Sequence, residues 1–389
     1  MKKQYYFYFT LLFGMALGLI VPTFSSAQTL TETVNYSNYH EIKDIPSNKR
    51  ISSKKPKNII FMIGDGMGVA QIYAALSANQ GKLNLALCPI TGFHKTYSAE
   101  NYITDSAAGA TAFSIGKKTY NAAIGVDNDS VPQKTILEIA EEKSLATGLV
   151  ATSSITHATP ASFIAHQKHR KMQEEIATDF LKTDIDVFIG GGRDFFMKRK
   201  NDNRNLLTEL QNKGYQTFTS TIDEVVKTDK TKIAALLADD GMPKYSEGRG
   251  DMLLLSSRKA IEVLNKNKKG FFLMIEGSQI DWAGHDNNLQ YVVEETLDFD
   301  KVIGEVLEFA AKDGETLVVI TADHETGGLT LVGGNFKNGN VEGRFSTDYH
   351  TGVMVPVFAF GAGAENFSGI YENTAIYDKM MKLLSLKKE

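Results

Sequence analysis

A single cysteine, Cys88, occurs in 389 residues. No intrachain disulfide can form, and no metal site can be assembled from a set of thiolates. Stability then has to come from core burial and, on this reading, from bound metal. An excess of one charge sign is missing as well. The 42 Lys and Arg stand against 46 Asp and Glu, a formal net charge of −4. That balance carries no nucleic-acid recognition signal. Beyond residue 21 no apolar run approaches the length a bilayer-spanning helix needs. Internal repeats and low-complexity linkers are also absent, which favours one large domain.

The first apolar run is of a different kind. Lys2 and Lys3 precede Tyr5 to Val21, and Ser25-Ser26-Ala27 follow. A basic start, a short apolar stretch broken by Pro22 and small residues before the cut predict a signal peptide over 1–27. The protein is expected to be exported, periplasmic or secreted, with no membrane span after cleavage. Residues 28–56 are polar and rich in Ser, Thr and Lys, and predict a weakly structured lead-in.

From residue 57 onward, apolar runs alternate with helical patterns. The runs are Lys57–Ile63, Ala146–Thr152, Asp186–Ile189, Gly270–Ile275, Glu315–Thr321 and Met354–Phe360. Their continuity suits strands buried on both faces. Helical periodicity marks Thr135–Lys143, Met172–Leu181, Leu253–Asn265 and Val292–Ala311. The expected class is α/β, a three-layer sandwich with a central, mostly parallel sheet covered by helices on both faces. One domain over 57–389 is expected, with insertions near 200–250 and 326–349, where the sequence turns polar or glycine-rich.

Polar groups follow several of these runs, at the strand edge where α/β sheets place their sites. Asp65 follows the first, Glu276 follows GFFLMI, and Asp323-His324 follow TLVVITA. His157 and Thr159 follow ATSSIT. Asp281 and His285 are spaced i, i+4, which puts them on one face of a helical turn. His350 supplies a further imidazole. Each histidine alone is more commonly a hydrogen-bonded structural residue. Three of eight, each accompanied by acids in such loops, favour mixed Asp/His ligation of a zinc-like cation. The spacing Gly64-x-Gly66-x-Gly68 does not fit a dinucleotide-binding loop.

Ser106 opens a run of small residues, SAAGATA, behind Thr104 and Asp105, either of which can cap a helix. A serine at a helix start sits where unpaired N–H groups favour phosphate. A small-residue helix packed on the sheet would look the same. No Gly-x-Ser-x-Gly elbow is present, so activation by a metal rather than a triad histidine is the better expectation. Arg170, in His-Arg-Lys, has the group that best forks onto phosphate oxygens.

Together NIIFMIGDGMG, TDSAAGATAFSIGKKTYNAAIGV, ATSSITHATPASFIAHQKHRK, MIEGSQIDWAGHDN, VVITADHETGG and YHTG resemble the alkaline phosphatase family, above all its compact members from marine and cold-living bacteria. The resemblance runs over about 57–365. It implies hydrolysis of phosphate monoesters at a site of two zinc ions and one magnesium. Asp281, His285 and His350 would hold the first zinc, and Asp65, Asp323 and His324 the second. Thr159, Glu276 and Asp65 would form the magnesium site. Ser106 would be the nucleophile, passing through a phosphoserine, and Arg170 the phosphate clamp. His157 stands where the enterobacterial form has an aspartate near magnesium, and Trp282 where it has a lysine near phosphate. The first change is expected to weaken magnesium binding or admit a third zinc. The second is expected to loosen phosphate. Sulfatases need a Cys/Ser-x-Pro-x-Arg motif, which neither Cys88 nor Ser106 provides. A non-catalytic exported binding protein would lack a ligand or the nucleophile, and none is missing. Homodimer and monomer are both compatible with the sequence.

Overall fold

The computed structural model describes residues 30–386, so the expected signal peptide lies outside the described residues. NIIFMIG (Asn58–Gly64) is buried at every position. So are Ala146–Ser154, Phe271–Gly277 and Thr316–Thr321. Strands of this kind are stable only in the middle of a sheet covered on both sides. They lie side by side in the order Thr316–Thr321, Asn58–Gly64, Phe271–Gly277, Ala146–Ser154, all parallel.

Seven more strands widen this centre to eleven. Val187–Gly191, Ile233–Leu236 and Gln216–Phe218 continue it on one side, parallel throughout. On the other side Val355–Ala362 runs antiparallel to both Thr316–Thr321 and Ile90–Lys95. Gly369–Glu372 closes that edge, and Ile51–Ser52 pairs with the end of Val355–Ala362.

Alternate side chains along each strand enter opposite cores, as a period of two demands. Ile60, Met62, Leu273, Ile275, Val318 and Ile320 face one core, packed with helices Val69–Ala78, Met252–Leu264 and Leu289–Asp313. Ile59, Phe61, Phe272, Met274, Leu317 and Val319 face the other, with Ser106–Ile115, Ile136–Glu142 and Thr374–Leu383. Phe61 meets Phe113 edge-on, ring centres 5.5 Å apart. The expected three-layer arrangement is present.

One stretch differs from the sequence expectation. The lead-in is not weakly structured over residues 30–56. Glu32–Asn35 pairs with Asn340–Arg344, which pairs with Thr330–Asn335, forming a separate three-stranded sheet. Val34, Tyr36 and Ile45 are buried, and His40 Nε2 lies 2.8 Å from the buried Asp300 carboxylate. Few apolar residues are present, but Val34, Tyr36 and Ile45 join a core of residues remote in sequence, which composition does not register. The 200–250 stretch supplies Ile233–Leu236 and, at the edge of the main sheet, Gln216–Phe218. Among the described residues no helix is long and apolar enough to cross a membrane.

Candidate active site

The register across the four central strands aligns their C-terminal ends. Thr321 pairs with Ile63, Ile63 with Glu276, and Glu276 with Ala151. The residues just beyond this row therefore emerge together. Asp65 leaves Asn58–Gly64 through Gly66, at φ +71°, where a Cβ would lie 2.8 Å from Asp281 Cα. Asp323 and His324 follow Thr316–Thr321. His157 precedes, and Thr159 belongs to, the short helix Ala158–Ala161. Asp281 and His285 lie on Gln279–His285, a helix as the i, i+4 spacing predicts. Ser106 is the first residue of Ser106–Ile115, capped by Asp105, whose carboxylate accepts from Ala108 N–H. Gly109, on that helix, lies so close that a Cβ would sit 3.0 Å from Asp323 Cβ. The small-residue run lets the helix reach the acidic cluster.

The sequence-predicted residues converge. His324 Nε2 is 3.3 Å from Asp323 Oδ2, 3.5 Å from Asp65 Oδ1 and 3.3 Å from Ser106 Oγ. Asp281 Oδ1 is 3.4 Å from Nε2 of both His285 and His350, and the two Nε2 atoms are 3.2 Å apart. Thr159 Oγ1 donates to Asp65 Oδ2 at 3.4 Å. Three sets of donor atoms, each within 4.8 Å of one another, could hold a cation. They are Asp65, Asp323 and His324; Asp281, His324 and His350; and Asp65, Glu276 and His157. Oxygens Asp65 Oδ1, Asp323 Oδ2 and Glu276 Oε1 and nitrogen His157 Nδ1 are buried without any hydrogen-bond partner. Buried acceptors left unpaired are costly, and a cation among them would remove that cost.

An alkaline phosphatase family model matches residues 56–344. The chain belongs to the alkaline phosphatase family. It is 44% identical over 299 residues to alkaline phosphatase 3 of Bacillus subtilis, an alignment covering 73% of this chain and 64% of that one. It is 34% identical to alkaline phosphatase 4 of the same organism, covering 89% of this chain and 93% of that protein. The alkaline phosphatase of the Antarctic bacterium TAB5 superposes with a TM-score of 0.82 at 44% identity, over 86% of this chain and 99% of the other. A TAB5 variant with aspartate in place of a histidine has magnesium bound in its M3 site. The family is one of phosphatase hydrolases, and cold-active bacterial members are among its relatives here, as the motifs implied.

In this alkaline phosphatase the acids differ sharply in their surroundings. Burial pushes Asp65 well above the usual carboxylate range, and the charges of Asp323, Asp281 and Glu276 add to it. Burial and the charge of Asp281 raise Asp323 to about 6. Burial raises Glu276 to about 7, against hydrogen bonds from Ser278, Thr159 and Ser153. Asp281 goes the other way. Burial opposes its charge, but hydrogen bonds from His285 and His350 hold it well below the usual range. The bond to Asp281 correspondingly raises His285 to about 9.

Arg170 is not on a helix. Its backbone N–H donates to Ala122 O, Nη1 donates to Asp105 Oδ2 at 3.1 Å, and Nη2 is 3.1 Å from His157 Nε2. Trp282 meets His157 edge-on, ring centres 6.0 Å apart. Gly241 presses on the far edge of Trp282, where a Cβ would lie 2.6 Å from the ring. The loop carrying Gly241 is anchored twice. Buried Arg249 pairs with Glu295 and Asp298, and Gln279 Nε2 donates to Met242 O at 2.7 Å.

Asp105 caps the Ser106 helix, as its position suggests, and also holds Arg170, which the sequence does not indicate. Other site residues are not singled out by the sequence. Thr326 donates to Asp281 and lies 3.2 Å from His324 Nδ1. Glu325 accepts from Gln71, Thr351 and the backbone of Gly328 and Leu329. Ser153 and Ser278 both donate to Glu276. For Thr326 and Glu325 a signal existed, because they continue the DHETGG motif directly from His324.

Proposed function

We propose that the chain is an exported phosphomonoesterase that transfers phosphate from monoesters to Ser106 and then to water. One observation carries this reading. Ser106 Oγ stands at the start of a helix, 3.3 Å from His324 Nε2, beside buried carboxylate oxygens with no hydrogen-bond partner. That donor set, rich in carboxylate and imidazole, fits two zinc ions and a magnesium. Asp281, His285 and His350 would hold the first zinc. Asp65, Asp323 and His324 would hold the second, and Thr159, Glu276 and Asp65 the magnesium. When bound, such cations polarise the ester and lower the pKa of hydroxyl and water.

The chain's own groups supply the rest. Ser106 attacks phosphorus from the His324 side. Arg170, held by Asp105 through Nη1 and set beside His157 through Nη2, aligns two non-bridging oxygens, and the positive end of the Ser106 helix favours their charge. The alcohol departs on the opposite side, toward His285 and His350. Water entering by that same path cleaves the Ser106 phosphate ester, releasing inorganic phosphate and restoring the hydroxyl. Because recognition centres on phosphate, many monoesters qualify. Residues 57–389 are taken as one catalytic domain with 200–250 and 326–349 as insertions, and 1–27 as the export signal.

The test is turnover of p-nitrophenyl phosphate together with metal analysis of the purified protein. Ser106→Ala is expected to lose roughly three orders of magnitude or more in kcat while retaining its metals. Near-normal turnover in that variant would overturn the nucleophile assignment.

A further inference from the structure

Three rings stack from the buried side of the site to its exposed rim. His324 and His350 are stacked with centres 3.5 Å apart and planes 19° apart. Tyr349 stacks on His350 at 4.7 Å and 9°. Two nearly parallel rings at those spacings cannot share one face, so His324 and Tyr349 lie on opposite faces of His350. Ser106 is beside His324. Counted by contacts from the nucleophile, the order is therefore His324, His350 and then Tyr349. In-line displacement sends the leaving oxygen away from the nucleophile. On the reading proposed above, the departing alcohol travels toward Tyr349.

What it meets there is aromatic and open to solvent. Tyr349 is 48% exposed although it also packs near the His285 ring, 6.1 Å away. Tyr102 is 80% exposed and lies against Gly352, two residues past His350, where any Cβ would run into its ring. Val353 and Met354, next in the chain, are exposed as well. Thr104 O accepts from His350 Nδ1, so the segments bearing Tyr102 and Tyr349 are joined at the site itself. Large exposed apolar groups carried on segments that meet at a polar site mark a binding surface more than a solvated one.

We propose that Tyr349 and Tyr102 form a leaving-group subsite that favours phosphate monoesters of aromatic and heteroaromatic alcohols. Flat rings recognise flat rings by offset stacking and edge-to-face contact, at little conformational cost. This deepens the phosphomonoesterase reading and rests on its direction of attack.

The experiment compares kcat/KM for phenyl phosphate and glycerol phosphate in the wild type, Tyr349→Ala, Tyr349→Phe and Tyr102→Ala. It also compares inhibition by phenylphosphonate and methylphosphonate, which needs no turnover. Each alanine variant is expected to lower the phenyl-to-glycerol ratio roughly threefold to tenfold, the size of one aromatic contact, and Tyr349→Phe to keep it. Phenylphosphonate should weaken by the same factor and methylphosphonate should not. Because Tyr349 supports His350, damage to the ligands would depress both esters together and leave the ratio alone. Tyr102→Ala carries the test away from that ligand. Unchanged ratios and unchanged phosphonate discrimination in both alanine variants would overturn the subsite. A wild type that hydrolyses neither ester, yet still discriminates the phosphonates through both tyrosines, would overturn the phosphomonoesterase reading and leave an aromatic binding site standing.

Discussion

The two ends of the site are built from the same residue types and behave differently. At the closed end Asp65, Asp323, His324 and Glu276 are fully buried. Their carboxylates crowd one another and are pushed upward in pKa. At the open end His285 is about one-third exposed, and the single carboxylate, Asp281, is already paired with two imidazoles and pushed downward. Crowded buried acids create demand for positive charge, whereas paired acids and imidazoles are already largely satisfied. The closed end should therefore hold its cation tightly and depend on it. The open end should exchange more readily and serve the groups that come and go.

That contrast can be broken in several ways. The largest effect is expected from Asp323→Ala, which should lose roughly three orders of magnitude in kcat and not recover with added zinc. His285→Ala should lose less and recover substantially when zinc is supplied in excess. Equal losses and equal rescue would erase the distinction between the ends. Thr326 touches Asp281 and the His324 ring, so it supports the open end chiefly through its carboxylate. Thr326→Val is expected to weaken metal affinity about 10- to 100-fold, the usual cost of losing a hydrogen bond behind a ligand.

Stability against pH sharpens the comparison without catalysis. In chelated protein the closed-end acids keep protons that the unfolded chain releases near its ordinary values of 3.8 and 4.5. The folded state then binds more protons than the unfolded one between about pH 4 and about 7, so stability falls as pH rises through that window. The open end has another window. His285 is raised to about 9, so its contribution is complete below 6.5 and is lost as pH rises through about 9. Melting temperatures of chelated protein across this range should show the first decline, and saturation with metal should remove it. A chelated protein whose melting temperature rises between about pH 4 and 7 would contradict the crowding argument.

The smallest effect concerns Trp282. A lysine there would add a cation beside His157 and Arg170, and Trp282→Lys is expected to lower the inhibition constant for inorganic phosphate severalfold. An unchanged constant would show that Trp282 does not bear on phosphate retention.

Much of this architecture could be read from local patterns. NIIFMIGD places an acid directly after a buried strand, and the register then brings Asp65, Glu276 and Asp323 together. The Asp105 cap and the Asp281/His285 face were legible because both follow from helical geometry over a few residues. What escaped depends on partners far apart in sequence. The lead-in is ordered by strand Asn340–Arg344 and by Asp300. The short strands Ile90–Lys95 and Gly369–Glu372 carry exposed residues and gain their order from pairing, the first with Val355–Ala362 and the second, at the edge, with the first. Arg170 acquires its orientation from Asp105, 65 residues away, and Trp282 acquires its position from Gly241. No periodicity within a window carries such information.

The central claim is that phosphate passes through Ser106. Protein mixed with a phosphate monoester and quenched in acid, then digested and weighed by mass spectrometry, tests it directly. The account predicts one added phosphoryl group on the peptide containing Ser106, absent from Ser106→Ala. Rapid turnover with that peptide never modified, or modified equally in Ser106→Ala, would contradict it.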